Sequence, residues 1–132
     1  MKVLFVCAGN AFRSPLAEAL LKKLRGDLEV DSAGIHPASR IAWETKRFLD
    51  RESALKNVKP RPEGIESKNL EEYDLIVVME NWQRQAIIRL NPKVQDRIRV
   101  WNIPDPYYLP PEETDKVFET IKLKVEELAE EI

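Results

Sequence analysis

A chain of 132 residues that is 43% hydrophobic can bury one real core and is too short for two, so residues 1–132 are expected to form a single domain. Its net charge of −2 supplies no global field for nucleic acid or an anionic membrane surface, and no run approaches the ~20 apolar residues that cross a bilayer. One cysteine excludes an intramolecular disulfide, and the N-terminal apolar run is too short for a signal peptide, so the expectation is a cytoplasmic protein.

Residues 3–7 form that run and predict a buried strand ending at Cys7. The following Ala8-Gly9-Asn10-Ala11-Phe12 reads as a loop, with Ser14 as N-cap and Pro15 at the first position of a helix. In that helix Leu16, Leu20 and Leu24 recur at helical spacing until Gly26 ends the pattern. Residues 28–31 predict a second strand, residues 42–49 a second helix, and the proline-rich stretch 59–64 a surface loop. The continuous apolar run 74–79 suits a strand covered on both faces. Residues 82–90 read as helix, 98–101 as a fourth strand and 104–111 as a long loop. The last helix begins near Glu112, with Val117, Phe118, Ile121, Val125, Leu128 and Ile132 on one face. Its other face, with eight acidic residues against three lysines from 112 onward, reads as solvated surface.

Strands alternating with helices predict an α/β fold, a doubly wound four-stranded parallel sheet in flavodoxin-like order. Ligands in such sheets bind beyond the carboxyl ends of the strands. Cys7, Ser32, Met79 and the Asp105 loop all follow predicted strands and share that edge.

The chemistry concentrates at Cys7 and Arg13, six positions apart. A tight loop opening a helix turns successive N–H groups inward and binds a phosphate-sized oxyanion. Gly9 tolerates any φ, and Asn10 enters the left-handed region cheaply. Arg13 offers a planar fork to two phosphate oxygens, and the same field favours the thiolate form of Cys7. No Gly-Lys-Ser/Thr follows, which excludes a nucleotide-binding loop of that kind. No His and Cys cluster exists, so neither a metal nor another cofactor is expected.

The stretch Cys7-Ala8-Gly9-Asn10-Ala11-Phe12-Arg13-Ser14-Pro15 resembles the phosphate loop of the low-molecular-weight protein tyrosine phosphatases, a superfamily shared with thioredoxin-coupled arsenate reductases. Asp31-Ser32-Ala33-Gly34, the run from Tyr73 to Glu80, and Asp105-Pro106-Tyr107-Tyr108 resemble its second-strand signature, central strand and acid loop. The chain departs from the family at Phe12, where many members carry a second cysteine. It also departs at Leu109-Pro110-Pro111, where glycine is usual, and over 54–67, which lacks a short His-containing motif.

The resemblance implies that Cys7 attacks phosphorus to give a cysteinyl-phosphate, with Ala8, Gly9, Asn10, Ala11, Phe12, Arg13 and Ser14 binding the phosphate. Asp105 would protonate the leaving group, since a carboxyl beside an occupied anion site resists ionisation. Ser14 would hydrogen-bond the Cys7 sulfur, and Asn10 and Ser32 would brace the loop. Tyr107, with Tyr108 beside it, would wall the cleft for an aryl group. His36 reads as surface or cleft entrance, and Trp43, Trp82 and Trp101 receive no role.

The expected partner is a phosphorylated protein or peptide, and the expected state is a monomer. Phosphotyrosine is the preferred substrate, with phosphoarginine the alternative because position 11 helps distinguish the two. Ala11 is neither bulky nor threonine, and its small side chain predicts a permissive pocket. Arsenate reduction would need an external thiol, since Cys7 is alone. A phosphoprotein-binding module would leave the nucleophile, arginine and acid unused, and a flavin carrier would not place a thiol in the loop.

Overall fold

Alternation along β1 (Lys2–Cys7) decides the layering of the molecule. Val3, Phe5 and Cys7 face one side of the sheet, Leu4 and Val6 the other, and all five are buried. The computed structural model describes residues 1–132. Its four strands, β1, β2 (Glu29–Gly34), β3 (Leu75–Val78) and β4 (Ile98–Val100), are parallel and ordered β2-β1-β3-β4. This is the expected doubly wound sheet.

Helices α1 (Arg13–Leu24), α2 (Trp43–Arg51) and α4 (Pro111–Glu131) bury their apolar stripes on the face carrying Val3 and Phe5. Leu16, Leu20, Phe48, Phe118, Ile121 and Val125 belong to that core, and the Phe48 and Phe118 rings meet edge to face at 5.4 Å. On the opposite face α3 (Asn81–Leu90) supplies Ile87, and Ile65, Leu70 and Val94 complete the layer over Leu4 and Val6.

Several boundaries differ from the sequence reading for local reasons. Helix α1 starts at Arg13, so Ser14 lies inside its first turn and is not the N-cap, and Pro15 is not its first residue. The Ser14 hydroxyl is engaged by Cys7 and Asn10 instead. Strand β2 continues to Gly34 because its register pairs that residue with Cys7. Trp101 leaves β4 and packs its ring 5.5 Å from that of Phe5. The stretch 59–64 is not simply a surface loop: Lys59 is buried, and Gly64 bridges Gly34.

The Cys7 to Gly34 pairing brings the end of β2 against the loop after β1. A Cβ at Gly34 would stand 2.8 Å from the Gly9 carbonyl carbon and 2.9 Å from the Asn10 nitrogen. Those are backbone atoms and cannot rotate away. Gly34→Ala should therefore cost about 1–3 kcal/mol in urea unfolding and depress turnover. Gly26→Ala, with nothing within 4 Å of the new methyl, should match wild type. Equal stability of both variants would contradict the close approach.

Candidate active site

Residues 8–12 curl between β1 and α1, and the segment after β2 pins this loop from outside. Ile35 N–H donates to the Cys7 carbonyl at 3.1 Å, His36 to Ala8 at 2.8 Å, Ala38 to Gly9 at 2.9 Å and Ala42 to Ala11 at 3.0 Å. In a trans peptide the N–H points opposite to the C=O. Each outward carbonyl therefore turns the next residue's N–H inward, toward the sulfur. Asn10 shows the result, its N–H lying 3.3 Å from Cys7 Sγ.

Asn10 has φ of 56°, the left-handed conformation its side chain tolerates. Its fully buried amide donates from Nδ2 to Ser14 Oγ at 2.8 Å and Ser32 Oγ at 2.9 Å, while Oδ1 accepts from Glu63 N–H at 2.9 Å. Ser14 Oγ sits 2.9 Å from Cys7 Sγ. With Asn10 donating into that oxygen, the serine proton is free to point at a thiolate.

Arg13 is 1% exposed and holds three partners. Nη1 donates to Glu80 Oε1 at 2.6 Å and to the Ile103 carbonyl at 2.8 Å, while Nη2 lies 3.4 Å from Asp105 Oδ2. The Asp105 contact is the looser of the two carboxylate pairs. Asp105 Oδ1 accepts from Tyr107 N–H at 3.0 Å, which fixes the carboxyl at the start of its turn. Glu80 also closes a capping box at the start of α3, so the anchor of the guanidinium is itself anchored. Sequence reading placed Glu80 only in a strand-end motif; an acid following a buried strand at the ligand edge was the available signal.

Two clefts flank the acid loop. One, of about 600 Å³, is bordered by Ala8, His36, Trp82, Asp105 and Tyr108, with the His36 and Trp82 rings stacked 6.4 Å apart. The other, of about 490 Å³, is bordered by Phe12, Trp43, Arg47 and Tyr107. Tyr107 and Tyr108 are exposed and meet edge to face at 5.1 Å, so each walls a different cleft. Ala11 is buried and borders neither.

A charged layer lies behind the loop, and the sequence reading missed it. Ser32 Oγ donates to Glu18 Oε1 at 2.5 Å; Lys59 Nζ donates to the Ser32 carbonyl at 2.6 Å and to Glu63 Oε1 at 2.5 Å. Lys68 bonds Asp31 at 2.7 Å and Glu63 at 3.0 Å. Burial pushes the Asp31 carboxyl up, but the Lys68 hydrogen bond, the Ser32 N–H and the charges of Lys59 and Lys68 outweigh it and leave the group below its ordinary value. Glu63 is lowered likewise, burial being outweighed by bonds from Lys59 and Lys68. Tyr73, beside Asp31, is pushed up to about 12, by burial first and then by the Asp31 charge.

A thiol centred among inward N–H groups, a guanidinium and a carboxyl, all beyond the carboxyl ends of a doubly wound sheet, defines a cysteine-based phosphate-handling enzyme. Residues 2–132 match the family model described as low molecular weight phosphotyrosine protein phosphatase. The chain belongs to that family and is a cysteine-dependent enzyme of its class. It is 35% identical over 112 residues to the low molecular weight protein-tyrosine-phosphatase Ptp of Acinetobacter johnsonii, covering 80% of this chain and 79% of that one. The structure of Vibrio vulnificus Wzb in complex with benzylphosphonate superposes with a TM-score of 0.87 at 26% identity, covering 99% and 98% of the two chains. The YwlE arginine phosphatase of Geobacillus stearothermophilus, at 24% identity and a TM-score of 0.86 over 98% and 91%, shares the fold.

Because Asp31 and Glu63 are lowered in the folded protein, their contribution to stability is complete above the ordinary carboxylate values of about 4 and disappears as pH falls through the lowered ones. Asp31→Asn should melt below wild type at pH 7, and the gap should close in scans toward pH 3. A gap independent of pH would contradict the assignment.

Proposed function

We propose that this phosphatase hydrolyses phosphotyrosine in proteins or peptides through a phosphocysteine at Cys7. The observation that carries the reading is the position of Cys7 Sγ, 3.3 Å from an inward loop N–H and 2.9 Å from the Ser14 hydroxyl.

Phosphate enters the loop with its equatorial oxygens on the N–H groups of residues 8–13 and on Arg13. It competes with Asp105 for Nη2, while Glu80 and Ile103 keep Nη1 in place. Cys7 sulfur attacks phosphorus in line; the bond from phosphorus to the phenolic oxygen breaks as Asp105 passes its proton to that oxygen. Asp105, now a carboxylate, takes a proton from water as the water oxygen bonds to phosphorus. The sulfur–phosphorus bond breaks, and inorganic phosphate and the Cys7 thiolate separate, the thiolate receiving the Ser14 hydrogen bond. Asn10 and Ser32 hold the loop throughout.

The exposed aromatic walls favour an aryl substrate. Tyr107 faces one cleft and Tyr108 the other, so a phenyl ring above the loop finds a flat apolar surface on either side. No helix is long and apolar enough to cross a membrane, and a catalytic thiol suits a reducing compartment; the reading is a monomer acting in the cytoplasm without a cofactor. Arsenate reduction on this chain lacks a second cysteine for the internal relay.

Matched phosphotyrosine and phosphoarginine peptides distinguish the substrate, with Cys7→Ser as blank. A higher kcat/KM for phosphotyrosine is expected; a preference for phosphoarginine would overturn the substrate assignment while keeping the chemistry. Asp105→Asn should lower kcat/KM, which reports only the phosphorylation step, by about 10²–10⁴-fold on a phenyl phosphate and less on p-nitrophenyl phosphate, whose leaving group needs little protonation. An equal loss on both esters would remove Asp105 from the role of acid.

A further inference from the structure

Thr45 stands in the first turn of α2 and is completely buried. Threonine is a poorer helix former than alanine, and its hydroxyl is costly to bury without a partner. Here the hydroxyl has two, both in the phosphate loop. Oγ1 lies 3.0 Å from the carbonyl of Ala11 and 3.3 Å from that of Phe12.

We propose that Thr45 is a positioning residue for the phosphatase reaction, aiming the Phe12 and Arg13 N–H groups at the phosphate. The same peptide geometry operates here as in residues 7–9. A donor outside the ring that holds the Ala11 carbonyl turns the Phe12 N–H inward, and one that holds the Phe12 carbonyl turns the Arg13 N–H inward. For Cys7, Ala8 and Gly9 the outside donors are backbone groups of the segment after β2. At the far side of the ring the Ala42 N–H reaches Ala11, and the Thr45 hydroxyl spans Ala11 and Phe12. One proton serves both carbonyls as a three-centre bond. Thr45 borders neither cleft, so it acts on substrate through the loop alone.

This assignment makes α2 part of the active-site scaffold. Its N-terminal turn sits behind Ala11 and Phe12 as the end of β2 sits behind Ala8 and Gly9. The ring is thereby clamped on both sides, and a change in either clamp alters the same set of N–H donors.

The test compares Thr45→Ser, which keeps the hydroxyl, with Thr45→Val and Thr45→Ala, which remove it while keeping shape or helix propensity. Three quantities are measured on folded protein, well below each variant's Tm: kcat/KM for p-nitrophenyl phosphate, the inhibition constant of inorganic phosphate, and the pH midpoint of Cys7 alkylation by iodoacetate. Losing aimed donors should cut kcat/KM by about 10- to 100-fold in Thr45→Val and Thr45→Ala, weaken phosphate binding and raise the alkylation midpoint. Thr45→Ser should stay close to wild type in all three. If the hydroxyl-free variants melt earlier but keep wild-type phosphate affinity and alkylation midpoint, Thr45 is structural only and the proposal falls. The same holds if Thr45→Ser loses as much as Thr45→Val. Phosphate binding and alkylation require no turnover, so failure of the phosphotyrosine reading would leave this result standing, and the reverse.

Discussion

The site depends on keeping the backbone N–H groups of residues 8–13 turned toward Cys7. Convergent N–H dipoles repel one another, and a free peptide would rotate some of them away. The protein prevents this by bonding the opposite ends of the same peptides. The Cys7, Ala8, Gly9 and Ala11 carbonyls all accept from residues 35–42, and Asn10 is locked at positive φ by a side chain bonded on three sides. The ring of donors is preorganised by hydrogen bonds that never touch the substrate, which is where electrostatic catalysis draws most of its strength.

Charge is distributed in two layers around that ring. In front, Arg13 is shared between Glu80, which also caps α3, and Asp105, which sits on a short turn beginning at Pro106. The tight contact belongs to the helix start and the looser one to the acid, so the guanidinium stays in register through Glu80 while Asp105 is available to the leaving group. Behind, Glu18, Asp31 and Glu63 are interleaved with Lys59 and Lys68. Glu18 and Lys59 are its buried members, and removing either strands the charge of the other. The loop therefore rests on a polar network whose integrity is also a stability requirement.

The strands of the sheet, its main helices and the Cys7 to Arg13 loop were legible in the sequence because each is written locally. The run from Val3 to Cys7, the apolar β3 and the helical stripe of α4 all declare themselves by periodicity. What sequence reading lost was non-local. Ser14 looks like an N-cap next to Pro15, yet α1 already begins at Arg13; its bond to the Cys7 sulfur was expected from the family resemblance and not from the local pattern. Lys59, just ahead of Pro60 and Pro62, looks like surface, yet Glu18, Asp31 and Glu63 from three separate segments surround its ammonium. Thr45 carries no motif and Glu80 only closes a strand-end one; the fold alone sets Glu80 against Arg13 and Thr45 against Ala11 and Phe12.

The central claim is that the sulfur of Cys7 takes the phosphoryl group. It is tested most directly by acid-quenching Asp105→Asn within its first turnovers of p-nitrophenyl phosphate and mapping phosphate by mass spectrometry. Without the carboxylate that activates water, the intermediate should accumulate as one phosphoryl group on the peptide containing Cys7, and Cys7→Ser in the same background should abolish turnover. Product formation with no adduct, or an adduct on another residue, would contradict the account.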